Sequence, residues 1–204
     1  MTVELTETGI SIDDYVAIND ARVEIINGEF ARMSAAGISH QIFASNIYNH
    51  IYEYLKTHPL GLLLADATTF LMFSDQQRLR DAFLPDVAFI RSENFLPMDD
   101  LSKPYPGVPD LAVEVVSPDD KPDYVMRKIR TYLEKGTSQV WIIYPTAREV
   151  HQYRRDTPDT ARLYTGSQVI EADPLLPDFR LPLDVVFHMP EWLRPKSQSE
   201  TPEV

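Results

Sequence analysis

The stretch Asp110-Leu-Ala-Val-Glu-Val-Val116 is short, rich in β-branched residues and bounded by turn residues, which predicts a buried β-strand. Glu114 is the anomaly in it, because apolar residues lie on both sides in sequence and on both faces of the strand. A carboxylate buried there costs free energy unless it is paired, hydrogen-bonded or bound to a metal. Glu114 is therefore the first candidate for chemistry. Its structural alternative is a place at a sheet edge or beside an arginine.

The segments on either side of this strand extend the pattern. Upstream, Pro85-Asp-Val-Ala-Phe-Ile-Arg91 predicts a second strand with Asp86 at its start. An aspartate at that place can cap a turn through its own backbone, which is the structural alternative to a functional role. Downstream, a helix is predicted from Pro122, a favoured first helical residue, to Gly136, and Gln139-Val-Trp-Ile-Ile-Tyr144 predicts a buried strand.

Further upstream, the sequence predicts three more elements. Residues 62–65 together with 68–73 read as one strand. A helix is predicted from Ser39, as its cap, to Thr57, because apolar residues recur at helical spacing. The stretch 22–33 predicts a β-hairpin around Asn27-Gly28, a pair that accepts the positive φ values of a type I′ turn.

The order helix, three strands, helix, strand predicts a mixed α/β domain, preceded by the hairpin. Short C-terminal strands are expected around residues 149–154, 161–165 and 168–171. We expect one domain over residues 12–192. Residues 193–204 lack apolar periodicity and are predicted to be a disordered tail.

The composition narrows the chemistry. The chain has 204 residues and a net charge of −12. It has no cysteine, and this absence excludes thiolate zinc sites, iron–sulfur clusters and cysteine nucleophiles. Any metal must use oxygen or imidazole ligands. The negative charge argues against broad attraction to nucleic acid, so a DNA site has to be locally basic or assisted by a metal. No apolar run reaches the roughly 20 residues of a membrane span, and we expect a cytoplasmic protein.

Lys128 is the third candidate residue. Helical periodicity places it at the border of the apolar face of the helix that starts at Pro122, from which it could reach inward over the end of the sheet. The alternative is a surface lysine that extends its stem over apolar neighbours. A basic stripe that could contact a phosphate backbone, or be a solvated face, comprises Arg127, Lys128, Arg130 and Lys135, with Arg148, Arg154 and Arg155 further on.

Several segments of the chain together form a pattern that is specific to one family. They are Val23-Glu24-Ile-Ile-Asn-Gly28-Glu29, Ser39-His40-Gln41, Leu84-Pro-Asp-Val-Ala-Phe-Ile90, Asp110-Leu-Ala-Val-Glu-Val-Val-Ser-Pro118, Lys128-Ile-Arg-Thr-Tyr132, Gly136, Val140-Trp-Ile-Ile143 and Leu176-Pro-Asp-Phe-Arg-Leu-Pro-Leu-Asp-Val-Val-Phe187. In these segments the chain resembles the Uma-type restriction endonuclease family of the PD-(D/E)XK nuclease superfamily. The resemblance covers nearly the whole chain and implies a restriction-endonuclease-like core, with the element order already derived from the sequence.

The resemblance also implies a site. It assigns Asp86 and Glu114 as ligands of Mg²⁺, for which Mn²⁺ could substitute, and DNA as the partner. The superfamily lysine stands two residues after the second acid, where this chain has Val116, and the family places a lysine on the following helix, at Lys128. Glu24 and His40 match family positions and are possible additional site residues. Glu24 would be a third metal ligand or a group that orients one.

Three functional hypotheses follow. The favoured one is a Mg²⁺-dependent endonuclease in which Asp86 and Glu114 bind the metal and Lys128 is catalytic. Such an endonuclease could act as a homodimer. The alternative is a non-catalytic nucleic-acid or protein-interaction domain that retains the nuclease fold, which Val116 and the acidic composition would favour. The third is a metal-dependent hydrolase of small phosphoesters.

Overall fold

The fold consists of three helices and twelve strands in the described part of the chain. A computed structural model describes residue 15 and residues 23–33, 36–65, 68–73 and 79–193. The helices are α1 (Ile38–Leu55), α2 (Pro122–Lys135) and the short α3 (Leu183–Val186). The strands are β1 (Val23–Ile26), β2 (Glu29–Arg32), β3 (Gly61–Ala65), β4 (Phe70–Phe73), β5 (Leu79–Phe83), β6 (Val87–Arg91), β7 (Leu111–Val115), β8 (Gln139–Tyr144), β9 (Glu149–Arg154), β10 (Thr157–Tyr164), β11 (Val169–Ala172) and β12 (Leu176–Pro182).

A six-stranded sheet with the order β10-β9-β8-β7-β6-β3 forms the centre of the fold. Within it, β7 and β8 are parallel and the other neighbours are antiparallel. A parallel pair needs a crossover connection, and α2 supplies it. The succession α1, β3, β6, β7, α2, β8 confirms the predicted order of helix, three strands, helix and strand.

The two long helices cover opposite faces of this sheet, and each one contacts alternate residues of the strands, whose side chains point to opposite sides. On one face, Phe43 and Ile47 of α1 share a core with Val113 of β7. On the other face, Ile129 of α2 shares a core with Ala112 of β7. Glu114 has the same strand parity as Ala112, so its side chain projects toward α2.

The predicted N-terminal hairpin is confirmed and belongs to a second sheet with the order β2-β1-β5-β4. Asn27 and Gly28 adopt φ values of 53° and 84°, as a type I′ turn requires. Ile26 of β1 shares the α2-side core, whereas Ile25 packs in a separate cluster on the other side of the hairpin. Glu24, two residues before Ile26, therefore points toward α2 and the central sheet.

Two sequence expectations about strands and caps are wrong. Residues 62–65 and 68–73 do not form one strand, because β3 and β4 lie in different sheets. The strands β5 and β12 were not predicted from the sequence. Apolar runs identify strands but carry no information about the sheet that each one joins. Ser39 is not the cap of α1: the helix begins at Ile38, and Gly37 is its N-cap, without a side-chain cap bond.

The C-terminal strands β9, β10 and β11 confirm the predicted short strands, and β11 pairs with β12 in a two-stranded sheet. A buried glutamine pair ties this sheet to the central one. Gln139 of β8 donates to the carbonyl of Ala172 at 2.9 Å and accepts from Gln152 at 3.0 Å. The predicted tail lies outside the described residues except for Leu193. In the described part of the chain, each helix is too short or too polar to cross a bilayer.

Candidate active site

The candidate site lies where β6 begins and β7 ends. The antiparallel register of these strands pairs Val87 with Val113, and Asp86 and Glu114 are the next residues beyond that pair. The Asp86 N–H donates to the Val113 carbonyl at 3.0 Å, and the Asp86 carboxylate accepts from the Val115 N–H at 2.7 Å. Asp86 is therefore bonded to the backbone of both neighbours of Glu114. The fold thus brings together the two acids that the sequence singled out.

The Glu114 carboxylate is almost enclosed and is held by two side chains of α2. Its Oε2 atom accepts from Lys128 Nζ at 2.7 Å, and its Oε1 atom accepts from the Tyr132 hydroxyl at 2.9 Å. Burial raises the pKa of Glu114, and the negative charges of Glu24 and Asp86 raise it further, whereas the Lys128 ammonium opposes the shift. The site therefore has an excess of negative charge that a cation would relieve.

Lys128 is buried, with 4% of its surface exposed, so the alternative of a surface lysine at the helix border is wrong. Its ammonium donates to Glu114 and to Glu24 Oε1, the latter at 2.9 Å, and lies 5.4 Å from the centre of the Phe83 ring. Burial lowers the pKa of Lys128, but the carboxylates of Glu114 and Glu24 outweigh this effect and raise it above the ordinary value. Lys128 is accordingly a fixed positive charge.

Glu24 reaches the same site from β1 and has no exposed surface. Its Oε1 atom accepts from the Leu84 N–H at 2.8 Å as well as from Lys128, and its Oε2 atom accepts from the Tyr124 hydroxyl. A buried carboxylate with donors on both oxygens is satisfied. Glu24 is thus an inward-pointing member of the site.

Asp86 and His40 form the opposite side of the site. Asp86 Oδ2 accepts from the Val115 N–H at 2.7 Å and lies 3.4 Å from His40 Nε2, in the first turn of α1. The Nδ1 atom of His40 is buried and makes no hydrogen bond to any residue that the structure describes. His40 therefore stands beside the acid pair.

Tyr124 and Tyr132 complete the site and were not recognised in the sequence as site residues. They stand one helical turn before and one turn after Lys128, so all three share a face of α2. Tyr132 lies on the apolar face of α2, where its ring packs edge-on to Phe83. The four-residue spacing of Tyr124, Lys128 and Tyr132 was the sequence feature from which their shared position in the site could have been predicted.

The predicted basic stripe is only partly a surface feature. Lys128 is buried and leaves it, while Arg127, Arg130 and Lys135 are exposed on α2. The remaining arginines are engaged within the protein: Arg148 lies over the Phe187 ring, Arg154 pairs with Asp156, and Arg155 donates to the Gly136 carbonyl. The outer face of α2 is left as the candidate surface for phosphate contacts.

The donor set is compatible with a cation held by few protein ligands. Asp86 and Glu114 offer carboxylate oxygens, whereas Glu24 is enclosed by its own donors. Across the described ranges, no group of three or more His, Asp or Glu side chains is arranged to hold one ion. Mg²⁺ fits two carboxylates, because it keeps several waters and commonly uses only one or two protein carboxylates.

The sequence and the fold of this chain are similar to those of known proteins. Residues 12–184 match the sequence profile of Uma2, which is described as "Putative restriction endonuclease". A similar fold is found in the crystal structure of a "putative nuclease belonging to DUF820" from Anabaena variabilis, with a TM-score of 0.73 and 17% sequence identity. The similarity covers 87% of this chain and 97% of that chain. No curated protein matches the chain.

Proposed function

The chain belongs to the Uma2 family, and from this membership we propose that it is a Mg²⁺-dependent endonuclease that hydrolyses DNA phosphodiester bonds. One observation carries the proposal: an ammonium group, Lys128 Nζ, lies 2.7 Å from the Oε2 atom of Glu114, and Asp86 is bonded to the backbone of both neighbours of Glu114. Two acids can bind a cation, and a nearby ammonium can stabilise negative charge, which suits metal-assisted hydrolysis of a phosphodiester.

Asp86 and Glu114 are the proposed metal ligands, and Mn²⁺ is expected to substitute. A bound Mg²⁺ supplies charge stabilisation at a phosphate oxygen and lowers the pKa of a bound water. The chain itself fixes the ligands. The Val115 N–H holds Asp86, and Tyr132 holds Glu114, so contacts within the chain orient both carboxylates.

Lys128 is the proposed catalytic lysine. Its ammonium adds a positive charge beside Glu114, where it can orient the attacking water or stabilise negative charge that develops on the phosphate. The position two residues after Glu114 is Val116, which packs in the α2-side core. The helix therefore brings the ammonium to Glu114 in place of the strand.

DNA contact is proposed to be local. The net charge of −12 opposes general attraction to a polyanion. Arg127, Arg130 and Lys135 are exposed on the outer face of α2, the helix that carries Lys128. These residues could contact phosphates that flank the scissile bond. A homodimer, which would bring two sites to one duplex, stays a prediction.

Cleavage of supercoiled plasmid in Mg²⁺, Mn²⁺ or EDTA tests the proposal. We expect nicked and linear products with either metal and none with EDTA. We expect most of the cleavage to be lost in Asp86→Asn, Glu114→Gln and Lys128→Met. Glu29→Gln, at an exposed position of the N-terminal hairpin, is the control and should retain cleavage. Cleavage that persists in EDTA or in Glu114→Gln would contradict the assignment.

A gel-shift assay with the same DNA separates the favoured function from its alternative. DNA binding without cleavage in any metal would indicate a non-catalytic domain that keeps the nuclease fold. Hydrolysis of small phosphoesters without plasmid cleavage would indicate the third hypothesis.

A further inference from the structure

We propose that Glu24 is a positioning residue, which holds the Lys128 ammonium against Glu114, and that it is not a ligand of the metal. The inference rests on the proposed function and deepens it, because it gives the N-terminal hairpin a part in the site. It also decides between the two roles that the sequence left open for Glu24.

The contacts of Glu24 argue against a ligand role. Three donors already use its two oxygens, the Leu84 N–H, the Lys128 ammonium and the Tyr124 hydroxyl, whereas the Glu114 oxygens accept from two. No part of the residue is exposed, whereas the Glu114 side chain keeps 13% of its surface exposed. A Mg²⁺ ligand has to share its ion with several waters and with substrate oxygen, which an enclosed carboxylate cannot do.

The same contacts explain how Glu24 can act through Lys128. A lysine side chain is long and flexible, and one acceptor alone leaves its ammonium free to swing about that contact. Here the ammonium is held by two acceptors that come from different sheets, at 2.9 Å from Glu24 and 2.7 Å from Glu114. Two fixed acceptors define the position of the nitrogen, and small errors in the position of a catalytic group cost rate steeply.

Glu24 also connects the hairpin to the segment that carries Asp86. The Leu84 N–H that it accepts belongs to the residue two positions before Asp86. Tyr124, on the preceding turn of α2, holds the second oxygen of Glu24. One carboxylate thus fixes the spacing between the hairpin, the start of β6 and α2.

Two measurements on Glu24→Gln test the proposal, with Glu29→Gln as the matched control on the same hairpin. The first is the affinity for Mn²⁺ alone, measured by calorimetry without DNA. We expect Glu24→Gln to lose at most about tenfold in Mn²⁺ affinity, the low end for a group behind a ligand, while Glu114→Gln loses most of its affinity. A loss in Glu24→Gln as large as in Glu114→Gln would identify Glu24 as a ligand and overturn the proposal.

The second measurement is a double-mutant cycle on plasmid cleavage. Glu24→Gln should lower kcat by about 10–100-fold with little change in KM, and should lower it no further in a Lys128→Met background. A residue that acts through Lys128 has no effect once Lys128 is gone. Equal losses in both backgrounds would show that Glu24 acts elsewhere and would overturn the proposal.

A structural measurement keeps the proposal separate from the proposed function. If the parent does not cleave DNA, the proposed function fails, and crystal structures of the parent and Glu24→Gln still decide the positioning role. The Lys128 nitrogen should be displaced, or spread over several positions about Glu114, in the variant, and an unmoved and equally ordered nitrogen would overturn the inference. Should Glu24→Gln fail to fold, Glu24→Asp, which keeps the charge and withdraws the carboxylate by one methylene group, is judged by the same criteria.

Discussion

The Nζ atom of Lys128 lies 2.7 Å from the Oε2 atom of Glu114, although one residue belongs to a helix and the other to a strand of the central sheet. The strand position two residues after Glu114 holds Val116, so the positive charge beside the acid comes from α2. The helix is fixed there by its apolar side, with Ile129 and Leu133 in the core. The precision of the contact therefore depends on helix packing.

Replacing Lys128 should strongly destabilise the metal-free protein. Lys128→Met leaves the buried carboxylates of Glu24 and Glu114 without their shared cation, and breaking a buried ion pair from one side costs about 3–5 kcal/mol. Urea unfolding in EDTA measures this loss. Arg130→Met, at an exposed position of the same helix, is the control and should change stability by less than about 0.5 kcal/mol. Equal stability of the two variants would show that the buried pair does not form in solution.

The stability of the metal-free protein should fall as the pH rises from about 5 to about 8. Burial raises the pKa of Glu114 in the folded protein above the unfolded value of about 4.3. The folded state therefore keeps this proton to higher pH than the unfolded chain. The resulting stabilisation is complete below the unfolded pKa and is lost as pH rises through the folded one.

Glu114→Gln isolates that contribution, because glutamine does not titrate. The free energy of unfolding in EDTA should depend less on pH in this variant than in the parent. Lys128 does not add to the slope in this range, because its pKa lies above the ordinary value of about 10.4. An identical pH dependence in parent and variant would contradict the raised pKa of Glu114.

Two substitutions at Asp86 should separate its charge from its hydrogen bond. Asp86→Asn keeps an oxygen that can accept from the Val115 N–H and removes a negative charge close to Glu114, so stability in EDTA should be equal or higher. Asp86→Ala leaves that N–H unsatisfied and should cost about 1–3 kcal/mol. Thermal melts in EDTA compare the two variants. An asparagine variant that melts as low as the alanine variant would argue against crowding of like charges.

Removing the Tyr132 hydroxyl should cost about 1–2 kcal/mol, because it leaves Glu114 Oε1 without its 2.9 Å donor in a buried site. Tyr132→Phe keeps the ring and its edge-on contact with Phe83. Tyr153→Phe is the matched control, since the one hydrogen-bond contact of the Tyr153 hydroxyl with a described residue is the 4.0 Å contact with Met126 Sδ. Chemical unfolding of both variants measures the difference, and equal stabilities would contradict the role of the Tyr132 hydroxyl.

A lysine moved to the strand should restore part of the cleavage that Lys128→Met loses. Position 116 has the same strand parity as Glu114, so Val116→Lys can bring an ammonium toward that carboxylate. The longer side chain costs about 1–3 kcal/mol in a packed region, and its geometry will differ from that of Lys128. Plasmid turnover by the double variant is the measurement. No recovery in a folded double variant would indicate that the direction of the ammonium, beyond its charge, is required.

Much of the core could be predicted from the sequence, because strand and helix periods report burial locally. The segments that became β6, β7 and β8 are apolar runs bounded by turn residues, and Asn27-Gly28 specified its turn by backbone conformation. The split between β3 and β4 could not be predicted in this way. Both are short apolar runs, and only long-range pairing assigns them to different sheets.

For the candidate site, the sequence singled out the acids but not the side chains that surround them. Glu114 stood out because a charge interrupts an apolar strand, which is a local signal. Lys128 looked like a border residue because helical periodicity describes one helix, whereas its burial depends on Glu24, which is 104 residues away in sequence. Tyr132 gave an apolar signal from its ring, and its hydroxyl acquires a partner only when α2 docks on β7.

The separation of Glu24 and Lys128 along the chain has a consequence for biosynthesis. During translation the hairpin leaves the ribosome first, and about 100 further residues have to follow before its partner emerges. Until then the Glu24 carboxylate has no ammonium to pair with and is best kept hydrated. Closing such a long loop is slow compared with forming the hairpin or α2. Nascent chains released before α2 emerges should therefore lack a docked hairpin, and the candidate site should be among the last regions to become protected from proteases.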